Sequence, residues 1–159
     1  MKSFSDTFII DCIYLQINCV LLQILLQICA LCDRIVLGNR KKGKWANMAA
    51  LCSYKNDDLQ FTHTYDTHPK QQDFILHIHD QYEIYCFLAG DAEYLVEGNV
   101  YPLKPGCILI MRPSEVHKVR IISQKPYERY VIQFADSLLN AVDPERYLLK
   151  AFLDRPLGQ

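Results

Sequence analysis

Apolar positions along this chain fall into three regimes. From Cys12 to Cys32, CIYLQINCVLLQILLQICALC runs for 21 residues without a charge. From about Leu59, short segments rich in β-branched and aromatic residues alternate with turn signals. That middle regime predicts strands at FILHIH (74–79), YEIYCFLAG (82–90), AEYLVE (92–97), NVYPL (99–103), CILIMR (107–112), HKVRIIS (117–123) and YERYVIQF (127–134). Gly90-Asp91, Gly98-Asn99, Pro105-Gly106, Pro113-Ser114 and Lys125-Pro126 punctuate them. Closely spaced strands with tight turns predict a mainly β sandwich or barrel. After Phe134 the alternation stops. DPERYLLKAFLDRPLG then predicts a helix with Asp143 as N-cap, Pro144 at the first helical position and a stop before Pro156.

The uncharged run is long enough to span a bilayer. Gln16, Asn18, Gln23 and Gln27 count against insertion, because each amide must find a partner in hydrocarbon. Arg40, Lys41, Lys42 and Lys44 follow it, and no signal-peptide cleavage site does. The rival readings are an apolar helix packed on something and a prefix from a start codon placed too far upstream. We expect residues 1–47 to be an apolar and basic extension outside the native domain, residues 48–135 a β-barrel, and residues 136–159 a helical segment.

Length and charge narrow the class. A chain of 159 residues is about one domain. With 17 basic against 18 acidic residues, the net charge of −1 leaves no electrostatic footprint for nucleic acid. The seven cysteines are odd in number and irregularly spaced, which predicts reduced thiols and a cytoplasmic protein. Cys29-Ala-Leu-Cys32 lacks a second pair at zinc spacing and reads as two buried thiols; Cys86 and Cys107 read as core residues. His63 and His68, in THTYDTHP, read as solvated loop residues. Neither a nucleophile elbow nor a glycine-rich phosphate loop is present, so nucleophilic catalysis has no support.

Candidate chemistry concentrates in LHIHDQYEIYCFLAG, residues 76–90. On a strand, residues two apart share a face, so His77 and His79 would project side by side. Glu83 can reach the same point from the next strand, and His117 begins a later strand that barrel closure would return to the pair. Three imidazoles and a carboxylate suit a divalent metal, Zn, Fe, Mn or Ni, with positions left open. The alternative is that the same groups hydrogen-bond one another and a polar ligand without any metal.

HIHDQYEIYCFLAG resembles the first cupin motif, and PGCILIMRPSEVH resembles the second, ending in its histidine. Glu115 stands where many cupins have glycine, and no asparagine lies four residues after His117. The Pro113-x-Glu115-x-His117 form, with GNVYPLKPG and KPYERYVIQF, is similar to the sensor half of AraC-type bacterial transcription regulators. The likeness covers about residues 74–158. It implies a cupin-like double-stranded β-helix, a jelly-roll barrel, that senses a small effector, often a sugar, and a C-terminal helical segment that supports a homodimer. It also implies His77, His79, Glu83 and His117 as ligand or metal residues, with Tyr85, Phe87 or Tyr94 offering flat pocket surface. DNA would be bound only through helix-turn-helix units, which we expect this chain to lack. A metal-dependent cupin enzyme, an oxygenase or sugar isomerase, is the second class expected, and a membrane-attached sensor the third.

Overall fold

The computed structural model describes residues 48–159. The chain divides into a unit Met1–Lys42 and a unit Gly43–Gln159, and the description concerns the second. Expectations placed on residues 1–47, including the membrane reading and the Cys29/Cys32 pair, lie outside the described residues. Among the described residues no helix is long and apolar enough to cross a membrane.

The elements run β1 (Met48–Lys55), β2 (Leu59–Asp66), a 3-10 turn (Gln71–Asp73), β3 (Tyr82–Ala89), β4 (Ala92–Val96), β5 (Asn99–Pro102), β6 (Ile108–Met111), β7 (His117–Ile121), β8 (Tyr127–Phe134), α1 (Asp136–Val142) and α2 (Tyr147–Leu153). They form a sheet ordered β1-β2-β8-β3-β6 and a second ordered β5-β4-β7. All strand pairs are antiparallel. The fold is therefore mainly β, the cupin-like jelly roll expected from the sequence. Its core lies between the sheets, where Tyr85, Phe87, Met111 and Tyr127 of one pack with Tyr94, Val96 and Val119 of the other.

Period-two patterning explains that core. In β4, Ala92, Tyr94 and Val96 are buried while Glu93 and Leu95 are only half-buried. Glu97 and Gly98, with φ of 47° and 82°, make the two-residue turn that matches strand twist and returns the chain into β5. Strand β3 departs from alternation, since Tyr82 through Phe87 are all buried. One face lines the barrel interior. The other meets aromatic side chains outside it: Tyr82 stacks on Phe134, and both rings meet Phe152 of α2 edge-on.

Three expectations are corrected. FILHIH is not a strand: after the 3-10 turn, residues 74–79 run as a loop whose only strand-like pairing is a bridge from His77 to His117. The C-terminal region is two short helices, with Pro144 in the turn between them. Asp143 still serves as a cap, its carboxylate accepting from Tyr147 N (3.0 Å) and Leu148 N (2.7 Å). His63 lies within β2, hydrogen-bonded to Glu128 at 2.8 Å, whereas His68 is exposed in a loop as read. Cys86 is buried and Cys107 half-buried, both as thiols packed in or beside the core, as read.

A buried glutamate and a tightly packed glycine fix the C-terminal tail. Glu115 is fully buried, and its carboxylate accepts from Arg155 Nη1 (2.8 Å) and Nη2 (2.6 Å), Gly158 N (3.0 Å) and Arg112 N (3.0 Å). Burial alone would raise its pKa, but the hydrogen bond from Arg155 and those from the Gly158 and Arg112 amides hold it below its ordinary value. Gly158 has φ of 72°, and a Cβ there would stand 2.7 Å from Glu97 Cβ and 3.0 Å from Val96 O. Only glycine fits that slot against the β4–β5 turn.

Candidate functional site

Each candidate ligand is placed by its own local cause. The His77–His117 bridge is made by two backbone hydrogen bonds of 3.0 Å, which clamp the 74–79 loop onto the start of β7 and bring the two rings to 4.3 Å between centroids. His79 is held two residues further on, its carbonyl accepting from Ser114 N at 2.9 Å, with its ring 4.9 Å from that of His117. Glu83 sits on the inward face of β3, opposite Gln133 of β8 and Met111 of β6. One ligand atom from each of His77, His79, Glu83 and His117 lies within 4.8 Å of the others. The four residues singled out from sequence are thus brought together.

The histidine tautomers are set by the backbone. Nδ1 of His77 lies 3.1 Å from Ile75 O, Nδ1 of His79 2.9 Å from Gln81 O, and Nδ1 of His117 2.8 Å from Glu115 O. A carbonyl only accepts, so in each ring Nδ1 carries the hydrogen and a neutral imidazole keeps its lone pair on Nε2, the atom that faces Glu83 in His79 and His117. Metal-binding histidines are oriented in this way. Two further observations fit a cation among them. His117 Nε2 is buried and has no hydrogen-bond partner. His79 Nε2 lies 3.0 Å from Glu83 Oε2, a separation at which two lone pairs need a proton or a metal ion between them.

Glu83 is 3% exposed, and burial alone would raise its pKa. The imidazoles of His117 and His79, together with Gln133, instead hold it well below the usual carboxylate range. Its Oε2 accepts from Gln133 Nε2 at 2.7 Å and its Oε1 from the Tyr94 hydroxyl at 3.0 Å. The hydrogen bond to Glu83 raises the pKa of His79, outweighing burial. Glu83's depressed pKa contributes stability that is present above about 4.3 and lost as pH falls through the folded value. His79's raised pKa contributes stability that is complete below about 6.5 and lost as pH rises through the folded value. The metal-free chain is therefore expected to melt higher near pH ~6 than near pH ~8.5, by scanning calorimetry, with the difference shrinking in His79→Gln. Equal melting temperatures at both pH values in the wild type would refute the pairing.

A cavity of about 230 Å³ adjoins the cluster, with His77 and Glu83 in its wall. Tyr85 and Tyr94 line it as expected, while Phe87 is sealed in the core. Burial, above all, raises both tyrosine pKa values well above the ordinary value, so the hydroxyls are neutral donors. Tyr94 donates to Glu83, and Tyr85 is hydrogen-bonded to Tyr127. Sequence reasoning missed the part of the wall beside β3, formed by Gln60 and Thr62 of β2 and Arg129, Val131 and Gln133 of β8. The signal was present in YERYVIQF, whose alternate positions Tyr127, Arg129, Val131 and Gln133 share one face and mix charge with apolar residues.

Comparisons with known proteins show what the chain resembles. The chain is 30% identical over 84 residues to an L-ectoine synthase of Teredinibacter turnerae, covering 52% of this chain and 62% of that protein. It is 34% identical over 68 residues to an L-ectoine synthase of Saccharophagus degradans, covering 42% of this chain and 52% of that one. The chain thus spans between half and two thirds of the length of these relatives. Among solved structures, a DMSP lyase of Ruegeria pomeroyi superposes with a TM-score of 0.45 at 25% identity, over 64% of this chain and 54% of that one. The model of the AraC-like ligand binding domain matches residues 63–145, more than half of the sequence and including His77, His79, Glu83 and His117, and the chain belongs to that family.

Proposed function

We propose that this domain is the effector-sensing module of an AraC-type transcription regulator, taking a small molecule into the cavity between its sheets beside a divalent metal held by His77, His79, Glu83 and His117. The observation that carries the metal is the set of three imidazoles, each with Nδ1 tied to a carbonyl and two, His79 and His117, with Nε2 turned to the buried carboxylate. A bound metal would supply an electrophilic anchor for a ligand oxygen or nitrogen. The protein's own groups orient it: Gln133 and Tyr94 fix the Glu83 carboxylate, and the Ile75, Gln81 and Glu115 carbonyls fix the rings. Homodimerisation, a cytoplasmic location and coupling to a DNA-binding reader belong to the same proposal.

A second reading, a metal-dependent cupin enzyme, is favoured by the identity to two L-ectoine synthases across part of their length. Elemental analysis of protein prepared without chelator tests the metal in both readings. About one equivalent is expected in the wild type and none in His79→Ala/His117→Ala, with the variant still folded because neither His79 nor His117 belongs to the main apolar cluster. Metal absent from the wild type would leave the cluster a hydrogen-bonding surface and remove the enzyme reading.

A further inference from the structure

Arg129 is the one described side chain of the cavity wall that carries a full positive charge at every working pH, and it has no partner suited to that charge. Its Nη1 is buried without a hydrogen-bond acceptor. Its guanidinium carbon lies 5.2 Å from the centroid of the Phe74 ring and 5.0 Å from that of Tyr127, so two aromatic faces fix the group in place. Those rings meet edge to face at 5.3 Å and belong to the buried core, which leaves the guanidinium little freedom. The side chain is half-buried and preoriented, with Nη1 withdrawn from water and still lacking an acceptor. A charge withdrawn from water is ordinarily matched by an opposite one. The carboxylates that line the cavity do not do this: Glu83 is engaged by His79, Tyr94 and Gln133, and exposed Asp73 makes no ion pair among the described residues.

We propose that the cavity takes a small monocarboxylic acid whose carboxylate is bound by Arg129 and whose uncharged remainder extends toward the His77/His79/Glu83/His117 group. This deepens, and rests on, the reading of the cavity as the ligand site. The guanidinium fork matches a carboxylate in two parallel hydrogen bonds. A dianionic headgroup fits less well, because no other lysine or arginine lines the cavity among the described residues. Arg129 and Gln133, four residues apart on the same face of β8, are separated by about 13 Å of strand, so a ligand can touch Arg129 at one end and the Glu83 region at the other. The volume of about 230 Å³ restricts that ligand to a small molecule, below the usual range of drug-sized pockets.

The test is calorimetric titration of the wild-type chain, at fixed ionic strength, with the straight-chain acids acetate through hexanoate and with their primary amides. At least one acid is expected to bind saturably and its amide roughly tenfold or more weakly, the discrimination given by a charge-assisted hydrogen bond. Arg129→Gln should bring the acid down to the level of the amide, and Arg129→Lys should retain part of the preference. Both variants are checked for wild-type cooperativity of melting. Absence of saturable binding by any acid, equal binding of acid and amide, or undiminished preference in Arg129→Gln would each overturn the proposal. Metal content measured on the same samples separates the two readings. Acid binding that depends on Arg129 in a metal-free chain keeps this inference and sinks the metal, whereas a metal-loaded chain that binds no acid does the reverse.

Discussion

Replacing Glu115 by alanine is expected to destabilise the domain by about 3–5 kcal/mol, the usual consequence of removing one member of a buried ion pair. The carboxylate is fully buried and accepts four hydrogen bonds, two of them from Arg155. Its loss strands the Arg155 guanidinium, which is 14% exposed, and leaves the Gly158 and Arg112 amides without their acceptor. Arg155 Nη2 keeps the Ile110 carbonyl at 3.0 Å, which carries no neutralising charge. Glu115→Gln preserves the shape and should lose less. Urea denaturation of the three chains, compared at unchanged slope, measures the difference. A loss below about 1 kcal/mol for Glu115→Ala would mean that the tail is not anchored through this carboxylate.

The second large effect is expected at Glu83. Glu83→Gln keeps the volume but removes the negative charge that faces His79 at 3.0 Å and His117 at 3.8 Å. Metal affinity should fall by at least roughly a hundredfold, the upper end of the loss seen when only an outer partner of a ligand is removed. The raised pKa of His79 has the Glu83 hydrogen bond as its main cause, so it should return toward its ordinary value in the same variant. Competition with a calibrated chelator reads the first effect, and imidazole proton NMR of the metal-free chain reads the second. Unchanged metal affinity would show that Glu83 is not a ligand. An unchanged His79 titration would place the source of its shift elsewhere.

Much of this site was legible because its elements obey period two. Strands β3 to β8 fall within a few residues of the segments read from alternation, and His117 and Glu83 lie on them as expected. His77 and His79 converge for a different reason from the one predicted. They are neighbours in a loop pinned by backbone bonds to His117 and Ser114, and their ring centroids are 5.9 Å apart. Alternation cannot report such a clamp, since it depends on residues about forty positions away. The wall carrying Arg129 was in plain view but was read only as strand. Whether an arginine on an inward face finds a partner is decided by β2, β3 and the 74–77 loop, which no local pattern names. The turn at Asp143 to Arg146 was hidden by a cap residue that keeps its role while Arg146 adopts φ of 58°.

Strand β3, buried on both faces from Tyr82 to Phe87, carries a safeguard against misassembly. Its inward set is Glu83, Tyr85 and Phe87; its outward set is Tyr82, Ile84 and Cys86. A slip of one residue against β8 would exchange the two sets. The carboxylate of Glu83 would then be driven under the ring of Phe152, and Ile84 would enter the space among the imidazoles. A strand with one solvated face pays for such an error only on the other. Here both faces reject it at once, so the strand whose alternation is hardest to read in the sequence is also the one whose register the finished fold defines most strictly.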